Sequence, residues 1–202
     1  MLLALLGGLW AALTLPLTAT AFGSTQWVWV FDSSVYVAAR QWANDPYVVF
    51  GALASLSFLA IGIALLPDLC RARWGGTVMA WLVIAGAPVT ALSYLNTSES
   101  APFHFLWGAE FYILVAIGAS GIAAAISAGP HWGIGVRSLL GMTFVVVLVG
   151  TLALGYYPHG SLVVLAVEAV VLIAAAPRDA AFAEGSASER DVALQTDSPA
   201  SS

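Results

Sequence analysis

Six apolar stretches, each about as long as a bilayer is thick, are separated in this chain by short polar links. An α-helix needs roughly 20 apolar residues to cross the ~30 Å hydrocarbon core of a membrane. Inside that core no water is available to pair with amides and carbonyls, so each crossing must close its hydrogen bonds within itself. The fold class that follows is all-α: a six-span transmembrane helix bundle with a short interfacial amphipathic helix after the first span. With 60% hydrophobic and only 8% charged residues, the chain has too few charges to solvate a water-soluble domain of its length.

Four regions are expected. Residues 1–22 read as the first transmembrane helix. A cleaved signal peptide is the alternative, because Ala19-Thr20-Ala21 has the small-x-small shape of a signal-peptidase site; the uninterrupted apolar length favours the retained helix. Residues 23–45 read as an outer interfacial amphipathic segment. There Trp27, Trp29, Phe31, Tyr36 and Trp42 sit among Asp32, Arg40 and Asp45, and such aromatics favour the headgroup layer. Asp32 and Ser33 can cap a short helix running to about Ala43.

Residues 46–176 read as a five-helix transmembrane bundle, with spans near 46–66, 76–95, 102–127, 136–157 and 159–176. Asn44-Asp45-Pro46 supplies a capping residue and a proline for the first turn of the first of these. Residues 67–73 and 96–101 read as links, and Tyr157-Pro158-His159-Gly160 as a tight turn that forces the last two spans to be antiparallel neighbours. Pro88 should kink the third span of the chain. Residues 177–202 are small, polar and acidic, and read as a disordered cytoplasmic tail through which a cytoplasmic protein partner is reached.

The arginines set the orientation. Arg71, Arg73, Arg137, Arg178 and Arg190 fall on one side of the six spans and only Arg40 on the other. The positive-inside bias places both termini in the cytoplasm of a multi-pass plasma-membrane protein in contact with the lipid bilayer. The formal charge of −5 is carried largely by the tail and gives no nucleic-acid partner. No lysine is present, so there is no retinal Schiff base. The single cysteine, Cys70, leaves no intrachain disulfide and no thiolate metal cluster.

Two carboxylates fall inside spans, Glu110 and Glu168. A charge at mid-membrane costs about 2.5–3.5 kcal/mol on insertion scales, so each marks a functional candidate. Counted from the outer ends of their spans, at ~1.5 Å per residue, both reach roughly 12–14 Å below the surface. Ser55, Thr90 and Thr151 fall near that level. Together they form the expected ligand or proton-relay candidates: Glu110, Glu168, Ser55, Thr90 and Thr151. Above them lies a rim of Tyr94, Asn96, Glu99, His104, Tyr156, Tyr157 and His159. His104 and His159 are candidates for a divalent metal with an open position for water.

The function read from this pattern is an integral membrane protein with an outward-facing carboxylate/histidine cluster for transport or small-ligand or ion binding. Two alternatives stand beside it. One is a metal-dependent membrane-embedded hydrolase acting on a lipid. The other is a non-catalytic assembly or anchoring module.

Overall fold

The structure, a computed structural model, describes residues 1–19, 32–130 and 132–176. The acidic tail, Arg178, Arg190, and the Trp27, Trp29 and Phe31 part of the amphipathic segment lie outside those residues. All regular structure among the described residues is helical. In chain order the helices are α1 (Leu2–Ala19), α2 (Ser34–Trp42), α3 (Pro46–Arg71), α4 (Arg73–Leu95), α5 (Ala109–Ser127), α6 (Ile134–Gly141), α7 (Thr143–Leu154) and α8 (His159–Ala175).

Three stretches are long and apolar enough to cross a membrane: Pro46–Arg71, Arg73–Leu95, and His104–Ser127, which leads from a 3₁₀ turn into α5. A fourth is added if α6 and α7, bent by 55° at their junction, count as one. The remaining apolar helices, α1 and α8, are shorter. Their outward faces are apolar nonetheless. Leu5, Leu9 and Leu13 of α1, Ile122 and Ile126 of α5, and Val167 and Val171 of α8 are all exposed. A soluble protein does not carry so continuous an apolar exterior.

Packing follows a closed ring in the order α1, α3, α4, α5, α7, α8 and back to α1. The inside of the ring is filled by Phe58, Ile61, Leu65, Ile117, Leu162 and Leu165, all fully buried. Small residues set the spacing of the ring. A side chain at Gly8 would collide with Ala166, one at Gly118 with Phe144, and one at Gly150 with the Gly160 carbonyl. Between apolar helices in an apolar surround, close backbone approach is the main source of attraction.

The local signals at the start of α3 hold. Asp45 accepts a hydrogen bond from the Val48 amide at 3.1 Å, and Pro46 occupies the first turn. Ser33 precedes α2 in extended backbone, without a side-chain capping bond.

Three expectations are corrected. The link drawn at 67–73 is almost entirely helix, since α3 runs through Pro67 to Arg71 and Ala72 alone separates it from α4. Pro67 removes one backbone bond, but Leu69 is fully buried and Asp68 pairs with Arg71 at 2.9 Å, so the last turn is held from both sides. The helix drawn from 102 begins seven residues later. The Asn96 side chain captures the Phe103 amide at 3.2 Å, and Gly108, in left-handed backbone at φ 84°, separates the 3₁₀ turn His104–Leu106 from α5. The span drawn over 136–157 is broken at Met142.

Candidate functional site

The aromatic rim becomes a cavity. Tyr47 stands in the first turn of α3 and Tyr94 in the last turn of α4. Glu110 stands in the first turn of α5, and Tyr156 and Tyr157 follow the end of α7. The chain directions bring all four helix ends to the face of the bundle opposite Arg71 and Arg73. There Tyr47, Tyr94, Trp107, Gly108, Glu110, Tyr156 and Tyr157 line a cavity of about 320 Å³.

The walls are fixed by mutual contacts. The Tyr94 and Tyr156 hydroxyls are 3.0 Å apart. The Tyr47 and Tyr94 rings lie 5.0 Å apart at 59°, and Tyr156 stacks on Tyr157 at 6.2 Å. Tyr94 can stand so close to α3 only because Gly51 has no side chain; a Cβ there would overlap its ring. Gly108 shapes the edge of the cavity. Its left-handed backbone turns its amide onto the Ser93 hydroxyl at 2.9 Å, and Ser93 also stands beside the Glu110 carboxyl.

Glu110 itself is 3% exposed, and its Oε2 meets no hydrogen-bond partner among the described residues. Its place in the first turn of α5 is favourable for negative charge, because the amides there are unpaired within the helix and point toward it. A carboxyl held in this way, with a free oxygen on the wall of a cavity, has room to accept a cation or a hydrogen-bond donor.

Glu168 does not join it. Glu168 is 3% exposed and lies 2.6 Å from the hydroxyl of Thr143, the first residue of α7 after the bend. The same hydroxyl lies 2.8 Å from the Leu140 carbonyl. One hydroxyl proton shared between two acceptors bonds weakly to each, and a proton on the Glu168 carboxyl would let Thr143 accept from it while donating to Leu140. Thr143 packs against Gly121, eleven residues along α5 from Glu110. That is about 16 Å down the helix axis. The shared level expected from counting residues is therefore corrected: Glu110 sits at the mouth of α5 because that helix starts late, and Glu168 sits deep against a different neighbour.

The other sequence candidates are dispersed as well. Thr151 bonds to Ser161 at 2.6 Å, which joins α7 to α8. Ser55 is half-buried on α3. Thr90 is fully buried with no partner for its hydroxyl among the described residues. His104 stacks on Trp107 at 5.9 Å and reaches the Asn96 carbonyl at 3.2 Å, behind the cavity wall. His159 is fully buried between Thr18, at 3.4 Å, and the Tyr156 ring. The two histidines thus have separate company, and among the described residues no three His, Cys, Asp or Glu side chains gather as a metal site would require.

Tyr47, Trp107 and Gly108 were not among the sequence candidates. Their signal was position: aromatics and a glycine at helix ends on the face opposite the arginines. Comparison with protein-family models, with curated proteins and with solved structures finds no match.

Proposed function

We propose that this chain is a six-span plasma-membrane protein with both termini in the cytoplasm, and that its outer-side cavity binds a small cation through Glu110. The apolar exterior supports insertion in lipid. At 18 and 17 residues, α1 and α8 measure about 27 and 26 Å, close to the hydrocarbon thickness, and the bent pair α6–α7 supplies one further crossing. Arg71, Arg73 and Arg137 then face the cytoplasm, which puts the cavity outside.

The observation that carries the binding reading is the Glu110 carboxyl, almost wholly buried on a cavity wall with one oxygen unpartnered among the described residues. A buried polar atom without a partner costs about 1–3 kcal/mol, more when charged, and a bound cation removes that cost. The π faces of the surrounding rings add to the attraction.

The test is calorimetric titration of the purified protein in lipid nanodiscs with sodium, ammonium and tetramethylammonium chlorides. Saturable binding of at least one of them is expected in the wild type, with loss in Glu110→Gln and retention in Glu168→Gln. Binding that is equal in wild type and Glu110→Gln, or absent for all three, overturns the assignment. Transport is the second reading. Glu168, buried some 16 Å further along the bundle, favours it as a second acidic station; unchanged cation flux into proteoliposomes in Glu168→Gln would remove it.

A further inference from the structure

Beside the cavity runs a second depression with a different lining. Phe111, Leu114 and Val115 of α5 face Phe144, Val147 and Leu148 of α7 across a groove of about 150 Å³. Among the described residues Thr151 is its only lining residue that is neither aliphatic nor aromatic. Thr151 turns its hydroxyl away, onto Ser161 and the Val147 carbonyl.

The groove and the cavity meet at Tyr157, which lines both. Its ring packs edge-on against Phe111 at 6.1 Å on the groove side and stacks on Tyr156 on the cavity side. The two depressions therefore adjoin across the Tyr157 ring: an aromatic chamber with a buried acid lies at the helix ends, and an apolar trough lies beside it between α5 and α7.

Charge decides what fits. Among the described residues Glu110 is the single carboxyl on the chamber wall, and no arginine, lysine or histidine lines either depression. A phosphate entering here would find no counter-charge and would face the Glu110 carboxylate. An organic ammonium finds the reverse: a carboxylate partner among the aromatic rings of Tyr47, Tyr94, Trp107 and Tyr156, the kind of lining that recognises substituted ammonium groups. An alkyl chain on that ammonium continues into the trough, where it exchanges one apolar surround for another and fixes direction.

We infer that the ligand of this site is a cationic, phosphate-free amphiphile: an organic ammonium headgroup held in the Tyr47/Tyr94/Glu110 chamber, carrying an apolar chain that lies between α5 and α7. This rests on the cation-binding reading of Glu110 and specifies the chemical class that the site takes.

The test uses a trimethylalkylammonium probe with a photoactivatable diazirine near the end of a chain of about ten carbons, applied to the whole protein in nanodiscs, with labelled positions mapped by mass spectrometry. Labelling is expected to concentrate on Leu114, Val115 and Leu148, and to fall at least fivefold when excess tetramethylammonium occupies the chamber. It should persist in Glu110→Asp and fall in Glu110→Gln. If Glu110→Gln does not fold, the tetramethylammonium competition in the wild type still decides. Labelling spread evenly over all lipid-facing helices and indifferent to tetramethylammonium overturns the inference, while calorimetric binding of small cations would still stand. An alkyl alcohol probe that labels the same positions equally overturns the ammonium assignment. A phosphocholine-headed probe of equal chain length that labels as strongly overturns the phosphate-free assignment.

Discussion

Tyr94 and Tyr156 join hydroxyls at 3.0 Å across 62 residues of chain, tying the last turn of α4 to the segment after α7. These two helices are not neighbours in the ring, so the bond spans the chamber end rather than a packed interface. Replacing Tyr94 by Phe keeps the ring and removes one partner. The expected loss is about 0.5–1.5 kcal/mol of stability, read as a small fall in the thermal midpoint in detergent. The larger effect should be on cation affinity, since the Tyr156 hydroxyl then keeps its Tyr47 partner but loses the one on α4. Unchanged affinity in Tyr94→Phe would mean that the bond does not shape the chamber.

Gly51→Ala places a methyl group inside the Tyr94 ring position. Overpacking of this kind costs about 1–3 kcal/mol. Because the clash is with one side chain, Tyr94→Ala in the same protein should recover most of the loss that Gly51→Ala causes. The check is a double-mutant cycle on thermal or denaturant unfolding, where strict additivity would show that the clash is absorbed elsewhere.

The proton count at Thr143 gives a prediction for Glu168. If the carboxyl carries its own proton, glutamine is a near-isosteric donor, and Glu168→Gln should change stability by less than about 1 kcal/mol. Glu168→Ala leaves the Thr143 and Leu140 oxygens sharing one proton beside a void, and should cost about 2–4 kcal/mol. Equal destabilisation by both substitutions would argue for a charged carboxylate instead.

Topology is open to direct chemistry through the lone cysteine. Cys70 is exposed next to Arg71 at the end of α3. A membrane-impermeant maleimide should leave it unlabelled in intact cells and label it after permeabilisation. With Cys70→Ser, a cysteine placed at Glu99 should show the opposite pattern. Labelling of native Cys70 in intact cells would invert the assigned orientation.

The helices were legible in the sequence because apolar length is a strong and local signal. Asp45-Pro46 marked the start of α3, and the Tyr157-Pro158 turn marked the α7–α8 hairpin. What the sequence hid was where helices begin and break. Asn96 reaches seven residues ahead to take the Phe103 amide, and that contact delays α5 and lifts Glu110 to the mouth. Residue counting from Pro102 has no access to it. The break at Met142 follows Gly141 without any proline, a weak signal inside an apolar run, and it is stabilised by a partner, Glu168, on another helix. The aromatics at the chamber were visible one by one. Their convergence depends on the order of helices around the ring, which no residue spacing encodes.

Gly7 and Gly8 are consecutive, yet they face different helices: Gly7 meets Ile61 and the Ser57 carbonyl on α3, and Gly8 meets Ala166 on α8. The first helix is therefore a wedge seated in a notch between two flanks. It cannot roll toward either without pressing a new side chain into the other, and its two glycines set both gaps at once. A methyl group added at Gly8 would drive into Ala166, and one at Gly7 would crowd Ile61 and the Ser57 carbonyl more mildly, so the seating of this first helix rests on two hydrogens near its beginning.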